Sequence, residues 1–332
     1  MVIPARLTSV FGRLRVDPYI VALLATVALA SILPAKGHVA AGFSTASTIA
    51  IAFLFFLYGA RLSTREALDG LRQWRLHLVV LGSTFVLFPL LGLAARLLVP
   101  AVLSSDLYTG LLFLCFLPST VQSSIAFTSI AKGNVAAAIC SASFSNLLGI
   151  VITPLFAATL LAANSGGISF GSVVDIVVQL MAPFLAGQLL RRWISNVIKR
   201  HKPVFTLVDR GSILLVVYTA FSEGVAAGIW HQLGLSSMLP IVVVNVLLLA
   251  IVVVTTTTLA RQLNFSREDE IVIVFCGSKK SLASGIPMAS VLFPAHMVGL
   301  VVLPLMLFHQ LQLMVCAWLA RRYADRELLP AS

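Results

Sequence analysis

The chain has 332 residues, of which 59% are hydrophobic and only 11% are charged. Soluble globular proteins carry about a quarter charged residues, so this composition excludes a soluble fold and indicates an integral membrane protein. The net charge of +11 does not indicate nucleic-acid binding, because such binding needs a basic face on a soluble domain, and the sequence offers no polar region long enough to form one.

Apolar stretches long enough to cross a bilayer recur along the whole chain. About 20 apolar residues in a helix span the roughly 30 Å of hydrocarbon. Ten spans are predicted, near residues 18–34, 42–60, 77–99, 107–131, 134–162, 170–190, 210–230, 238–260, 270–294 and 297–320. The polar regions between them are short, so residues 1–332 are predicted to form one all-α membrane domain.

The basic residues are distributed unevenly between the loops that join these spans. With the N-terminus in the cytoplasm, nineteen of the 23 lysines and arginines fall on the cytoplasmic side, and only Lys36 and Arg96 fall on the other. The remaining two, Lys279 and Lys280, lie inside the ninth span. Because cytoplasmic loops carry an excess of Lys and Arg, we predict a multi-pass protein of the cell inner membrane with both termini in the cytoplasm.

The fourth and ninth spans are interrupted by helix-breaking and polar residues. The interrupting residues are Pro118, Ser119, Thr120, Gln122, Ser123 and Ser124 in the fourth span and Gly277, Ser278, Lys279, Lys280, Ser281, Gly285 and Pro287 in the ninth. Non-helical backbone at membrane depth is tolerated where protein buries it or where it lines a wet cavity. Two such spans in corresponding positions are typical of secondary transporters with inverted repeats. We predict two inverted five-helix repeats, residues 17–163 and 170–322, with discontinuous helices 4 and 9 at the transport site.

The predicted substrate-binding residues are polar side chains of these spans and two further intramembrane groups. They are Ser119, Gln122, Ser123, Ser124, Ser278, Lys280 and Ser281, with Asn146 of the fifth span and Glu223 of the seventh. An ionisable residue inside a span indicates function by default. Two alternatives stay open, namely an interhelical hydrogen bond for Asn146 and simple hydration near the outer interface for Glu223. His309, Gln310 and Gln312 are predicted to form hydrogen bonds between helices.

Three stretches carry a resemblance to a known family: "FLPSTVQSSIAFTSIAKGN", "LMAPFLAGQLLRRW" and "FCGSKKSLASGIPMA". The sequence resembles the bile acid:sodium symporter family, and within it the divergent branch that includes the seventh member of solute carrier family ten and bacterial symporters of unknown substrate. The resemblance implies ten helices in two inverted repeats. It also implies a panel formed by spans 1, 2, 6 and 7, a core formed by the others, substrate between panel and core, and two sodium ions behind the crossing helices.

At the positions that match the family's sodium ligands, this sequence departs from the pattern. Oxygen ligands are replaced by Ala138, Ala142, Phe275 and Lys279, a third-span ligand falls on Thr84, and only Ser123 and Ser124 are retained. Our hypothesis is that Lys279 is a built-in cation that occupies the space of a sodium ion, and that Lys280 faces the substrate or Glu223. Transport is then expected to be insensitive to sodium and sensitive to pH.

The predicted function is secondary-active transport of a small organic, anionic solute by alternating access, with the solute and membrane lipid as the predicted partners. No metal or cofactor is predicted, and the coupling ion, sodium or proton, stays open. Alternatives are a proton-coupled exchanger that uses Lys279, Lys280 and Glu223, and a membrane regulator that transports nothing. A membrane-embedded enzyme is disfavoured, because the sequence lacks HExxH and CxxC motifs and has too few intramembrane acids for a paired-carboxylate site.

Overall fold

The computed structural model describes residues 18–61, 73–161, 170–226 and 235–325, and helices are the only regular secondary structure in these ranges. The α-helices described are α1 (Pro18–Ile32), α2 (Gly37–Arg61), α3 (Trp74–Gly82), α4 (Phe88–Ala94), α5 (Ser105–Phe116), α6 (Gln122–Ile130), α7 (Val135–Phe156), α8 (Phe170–Arg200), α9 (Lys202–Ala226), α10 (Leu235–Gln262), α11 (Arg267–Gly277), α12 (Leu282–Leu292) and α13 (Ala295–Asp325). The predicted all-α class is confirmed.

Seven helical segments in the described ranges are long and apolar enough to cross a membrane. They are Gly37–Arg61, Trp74–Leu98, Val135–Thr159, Lys202–Ala226, Met238–Gln262, Arg267–Leu292 and Ala295–Asp325. Within Trp74–Leu98, a π-helical turn at Ser83–Leu87 joins α3 to α4. Shorter apolar helices lie at Val21–Ile32 and Ser105–Phe116. The prediction of a multi-pass membrane protein is therefore confirmed.

Several helices continue beyond the predicted spans. Helix α9 begins at Lys202 and α13 runs from Ala295 to Asp325, whereas the corresponding spans were predicted near 210–230 and 297–320. Hydropathy marks only the part of a helix that lies in hydrocarbon. Backbone hydrogen bonding continues into the charged residues on either side of an apolar segment, so the helices are longer than their apolar segments.

Helix starts outside the apolar segments follow ordinary capping chemistry. The side chains of Ser104, Asn134 and Ser266 accept hydrogen bonds from backbone amides in the first turns of α5, α7 and α11. The first turn of α11 also carries Glu268, Asp269 and Glu270, whose negative charge suits the positive end of the helix dipole.

Helices α2 and α8 pack at very short range through two glycines. A Cβ atom added at Gly59 would overlap the backbone carbonyl of Phe184, and one added at Gly187 would overlap the backbone carbonyl of Phe56. Small residues permit such close approach between membrane helices, where dispersion contacts replace the hydrophobic effect as the driving force. Helix α9 packs against both α1 and α2, so α1, α2, α8 and α9 form one layer.

The segment Arg267–Leu292 is enclosed by the other helices. It contacts α3, α6, α7, α10 and α13, and 94% of its most apolar 18-residue stretch is buried inside the protein. Because this segment contains both intramembrane lysines, their surroundings are protein side chains and backbone rather than lipid.

Candidate functional site

Two helix interruptions meet inside the protein. Helices α5 and α6 are separated by residues 117–121, and α11 and α12 are separated by residues 278–281. The Ser281 amide donates to the Pro118 carbonyl at 2.9 Å, which joins one interruption directly to the other. Gly149 of α7 packs against the Pro118 ring, since a Cβ at Gly149 would lie 2.7 Å from Pro118 Cβ.

The C-terminal end of α11 is satisfied by serine hydroxyls. Ser119 Oγ donates to the Cys276 carbonyl at 2.6 Å, Ser124 Oγ to the Phe275 carbonyl at 3.1 Å, and Ser83 Oγ to the Gly277 carbonyl at 2.8 Å. Ser278 Oγ donates to the Val274 carbonyl at 2.6 Å. The last carbonyls of a helix have no intrahelical partners. These hydroxyls therefore replace the missing amides at a depth where an unsatisfied carbonyl is costly.

The C-terminal end of α5 is satisfied by the ammonium group of Lys280. Its Nζ donates to the carbonyls of Leu117 at 2.7 Å, Cys115 at 2.9 Å and Thr84 at 2.9 Å. The same atom lies 4.1 Å from the centre of the Phe88 ring, and the side chain is 0% exposed. A positive charge at the C-terminal end of a helix is favourable because the helix dipole is negative there. The ammonium of Lys280 is thus completely coordinated by protein.

The backbone of Lys280 is held by Gln312 of α13. Gln312 Nε2 donates to the Lys280 carbonyl at 2.9 Å, and Gln312 Oε1 accepts from the Lys280 amide at 2.8 Å. One buried amide side chain therefore satisfies both polar groups of a backbone unit that no helix satisfies. This arrangement fixes the direction of the Lys280 side chain.

Lys279 lies in very different surroundings. Its side chain is also 0% exposed, but its Nζ has no protein hydrogen-bond partner. The Nζ atom lies 4.1 Å from the centre of the Phe127 ring and 5.4 Å from that of Phe275. Aromatic faces attract a cation but supply no hydrogen-bond acceptor of ordinary strength. The two neighbouring lysines therefore point to opposite sides of the interruption, where Lys280 contacts carbonyl oxygens and Lys279 contacts aromatic rings.

A large cavity lies between the interruptions and the layer formed by α1, α2, α8 and α9. Its volume is about 890 Å³, and it extends from Ser281 to Arg61, Asp209 and Arg210. Arg61 and Asp209 form an ion pair between α2 and α9. Apolar side chains that line the cavity are Phe55, Ile139, Leu147, Ile150, Phe184, Ile213, Met288, Leu313 and Met314. A mostly apolar cavity with a few polar groups has the character of a binding site for a small organic molecule.

The first turns of α6 and α12 lie along this cavity. Gln122 and Ser123 of α6 line it, as do Ser281, Leu282 and Ser284 at the start of α12. Helix α6 has no side-chain cap, whereas Ser281 Oγ accepts from the Ser284 amide at 3.2 Å. Two positive helix ends therefore border the same space, and such ends favour an anionic ligand.

Asn146 of α7 connects the two interruptions at the cavity wall. Its Nδ2 donates to the Ser119 carbonyl at 2.7 Å and to the Ala142 carbonyl at 3.0 Å, while its Oδ1 accepts from Ser284 Oγ at 3.0 Å. One side chain thus forms interhelical hydrogen bonds and also lines the cavity.

Not all of the predicted site residues lie together. Four of them line the cavity, namely Gln122, Ser123, Asn146 and Ser281. Ser119, Ser124 and Ser278 are fully buried and bind carbonyls of α11, and Lys279 and Lys280 are enclosed by protein. Glu223 is partly buried near the end of α9 and is not part of the cavity wall. Thr84 contributes its carbonyl to Lys280, while its own hydroxyl donates to the Val80 carbonyl.

Several polar residues of the cavity wall are not among the predicted site residues. They are Tyr19, Tyr58, Arg61, Thr120, Ser143, Thr206, Asp209, Arg210, Ser284, His309 and Gln310. His309 and Gln310 were predicted to form hydrogen bonds between helices, and Arg61 and Arg210 were interpreted only as loop charges. Asp209 beside Arg210, close to a predicted span, was the available signal. Among the described residues, no group of three His, Cys, Asp or Glu side chains could hold a metal ion.

The comparisons with known proteins agree with this architecture. The model of the SBF-like CPA transporter family (DUF4137) matches residues 17–325. The chain is 55% identical over 311 residues to "Uncharacterized protein PA2026" of Pseudomonas aeruginosa, with 93% of each chain covered. It is 54% identical to "Putative symporter YfeH" of Escherichia coli strain K12, with 92% of each chain covered.

More distant relatives carry the same family signal. The chain is 29% identical to "Sodium/bile acid cotransporter 7" of Rattus norvegicus, with 91% of each chain covered. The resemblance drawn from the interrupted spans is therefore confirmed: the family is a transporter family, and the two relatives whose names state a role are a putative symporter and a cotransporter rather than enzymes. The match covers nearly the whole chain, and the chain belongs to the SBF-like CPA transporter family, whose members are multi-pass membrane transporters of small solutes.

Proposed function

We propose that this protein is a secondary-active transporter that carries a small organic anion across the cell inner membrane by alternating access. The observation that carries the proposal is the cavity of about 890 Å³ bordered by the first turns of α6 and α12. The positive ends of two helices, together with Arg210, favour a negative headgroup, since the charge of Arg61 is balanced by Asp209, and the apolar wall suits a hydrocarbon body. The name of the rat relative, a sodium/bile acid cotransporter, agrees with an organic anion.

We propose further that the chain forms ten spans in two inverted repeats, residues 17–163 and 170–322. The interruption between α5 and α6 would correspond to that between α11 and α12. The packing supports this, because α1 contacts α9 and α2 contacts α8, and a two-fold relation between the repeats exchanges these two pairs. In this description α1, α2, α8 and α9 form the panel, the other helices form the core, and the cavity lies between them.

The orientation of the protein follows from the charge distribution. Nineteen of the 23 basic residues lie on one side of the ten proposed spans, which supports cytoplasmic termini. Arg61 and Arg210 belong to that side and line the cavity. The structure would then represent a state in which the cavity extends toward the cytoplasm.

The sodium sites of the family are proposed to be altered by a lysine, and we assign this role to Lys280 in place of Lys279. Three carbonyl oxygens at 2.7–2.9 Å surround the Lys280 ammonium, as oxygen ligands would surround a bound cation. A tethered charge at this place would make a diffusible sodium ion unnecessary. Transport is therefore expected to continue when sodium is replaced by choline.

Transport can be tested with purified protein in proteoliposomes. The probes are labelled organic anions of several classes, namely dicarboxylates, aromatic carboxylates, steroid carboxylates and sulfate esters, measured by counterflow in sodium or choline buffer. Ser123→Phe should abolish exchange, because it fills the cavity beside the first turn of α6. Ser129→Phe is the matched control, since Ser129 lies on the same helix but is exposed and outside the cavity wall.

Three results would contradict these proposals. The absence of exchange with every probe would favour a regulator over a transporter. Strict dependence on sodium would contradict the altered sodium sites. Equal exchange by the two variants would move the transport site away from this cavity.

A further inference from the structure

The two intramembrane lysines differ in the number of hydrogen-bond acceptors around them. An ammonium group has three N–H donors, and Lys280 uses all three on carbonyl oxygens at 2.7–2.9 Å. A neutral amine has only two N–H groups and would leave one of these carbonyls without a donor. The geometry at Lys280 therefore favours the protonated form of the lysine.

The surroundings of Lys279 do not stabilise a charged amine in this way. Its Nζ is fully buried without a protein acceptor, and a buried charge without hydrogen bonds is strongly disfavoured. The rings of Phe127 and Phe275 compensate only part of that cost. A neutral amine fits these surroundings at low cost, and an ammonium fits them once water or another acceptor arrives.

No carboxylate compensates Lys279 within the part of the chain that the structure describes. From α11 and α13 the nearby titratable groups are the thiols of Cys276 and Cys316. Glu270 lies in the first turn of α11, at the opposite end of the helix from Lys279. Its carboxylate accepts two hydrogen bonds from Arg261 and one from Tyr323 Oη. Tyr323 in turn packs edge-on against Phe275.

The other elements around Lys279 contribute little charge. Helix α6 carries no titratable side chain, and α7 carries only Cys140. Lys280, the adjacent residue, holds a fixed positive charge that disfavours a second one beside it. His309 of α13 borders the cavity and hydrogen-bonds to Gln312 at 2.8 Å. Of the other helices that contact α11, α3 carries Arg75 and His77, whose Nδ1 lies 2.7 Å from Ser141 Oγ, and α10 carries Arg261, which is paired with Glu270.

Phe127 separates the Lys279 amine from the cavity. Its ring lies 4.1 Å from Nζ, and the same residue is part of the cavity wall. Rotation of one aromatic side chain on α6 would therefore bring cavity water to the amine. Because α6 belongs to the interrupted fourth span, a movement of that span during transport would have the same effect.

We propose that the Lys279 amine is the proton-binding site of the transport cycle, with Phe127 as the barrier between it and the cavity, while Lys280 is a fixed structural charge. In one conformation the amine lone pair takes a proton from water in the cavity and becomes an ammonium. In the other conformation it returns that proton to water on the opposite side, and no other bond changes. This proposal rests on the proposed transport function and names its coupling ion.

Protons themselves are the probe for the test. Proteoliposomes are adsorbed on a solid-supported membrane, and the charge displaced by a pH jump is recorded without any solute, and again for a sodium jump at constant pH. Proton binding to a buried group displaces charge within the membrane. We expect a pH-jump signal in the native protein, its loss in Lys279→Met, and no signal for sodium in either protein.

A matched control removes a lysine from the membrane surface. Lys199→Met changes an exposed residue of α8 and should keep the pH-jump signal. Persistence of the signal in Lys279→Met, or its loss in Lys199→Met, would overturn the assignment. The absence of a pH-jump signal in the native protein would by itself overturn the assignment of Lys279 as the proton-binding site. Solute counterflow without a pH-jump signal would refute the proton site alone, whereas a pH-jump signal without counterflow would refute transport.

Discussion

At the residue scale, Lys279 and Lys280 differ because they lie in a connection that is not helical. Successive side chains of a helix are about 100° apart, and outside a helix their directions do not follow that period. Lys280 therefore reaches the C-terminal end of α5, and Lys279 points toward α6 and α13.

The different surroundings predict different effects of the same substitution on stability. Lys280→Met removes the ammonium that donates to the Thr84, Cys115 and Leu117 carbonyls, so we expect the protein to be destabilised by about 3 kcal/mol. Lys279→Met removes no hydrogen bond and should change stability by no more than about 1 kcal/mol. Thermal unfolding of both variants in the same detergent measures the difference. Equal losses of stability in the two variants would show that the hydrogen bonds of Lys280 do not stabilise the protein measurably.

At the element scale, the two interrupted spans expose helix ends that the protein satisfies in contrasting ways. The C-terminal carbonyls of α11 accept from serine hydroxyls, and those of α5 accept from an ammonium group. The N-terminal ends of α6 and α12 border the cavity instead. The polar groups at the two interruptions thus fall into two sets. One set satisfies helix ends, and the other borders the cavity, where a ligand can contact it.

The contact between α2 and α8 gives a prediction at the same scale. Gly59→Ala should destabilise the protein by about 1–3 kcal/mol, because the added methyl overlaps the Phe184 carbonyl and forces the helices apart. Gly42→Ala on the same helix meets nothing within 4 Å and should be neutral or slightly stabilising, since alanine favours helix. Thermal unfolding in detergent compares the two variants. A tolerated Gly59→Ala would mean that the two helices separate without cost.

At the scale of the whole molecule, the layer of α1, α2, α8 and α9 and the interrupted helices enclose the cavity from different sides. The Tyr58 hydroxyl of α2 donates to the Ala283 carbonyl of α12 at 3.3 Å, across the boundary between them. Movement of one group of helices against the other would change access to the cavity without breaking the hydrogen bonds inside either group.

The charge distribution predicts the topology of the whole chain. A reporter fused after Ser332 should be active in the cytoplasm, and one inserted near Ser165 should be active outside, because the basic residues identify the cytoplasmic loops. Both positions lie outside the described residues. An insertion near Arg65 is the matched control and should report the cytoplasm. A C-terminal reporter on the outer side would refute the ten-span arrangement.

The sequence by itself determined the class of protein and the family. Composition excluded a soluble fold, the length of the apolar stretches indicated membrane helices, and the Pro118 and Gly277 regions indicated where two spans are interrupted. These properties are local, because the free energy of burying a stretch in hydrocarbon depends on its own residues, and a helix breaker acts at its own position.

Only the tertiary structure decided which polar side chains satisfy helix ends and which face the cavity. Ser119 and Thr120 are neighbouring hydroxyl residues of one interruption, yet Ser119 binds a carbonyl of α11 and Thr120 lines the cavity. The reason is that an irregular segment has no period from which side-chain directions can be projected, unlike a helix or a strand. The direction of Lys280 was likewise fixed by Gln312, which lies 32 residues further along the chain.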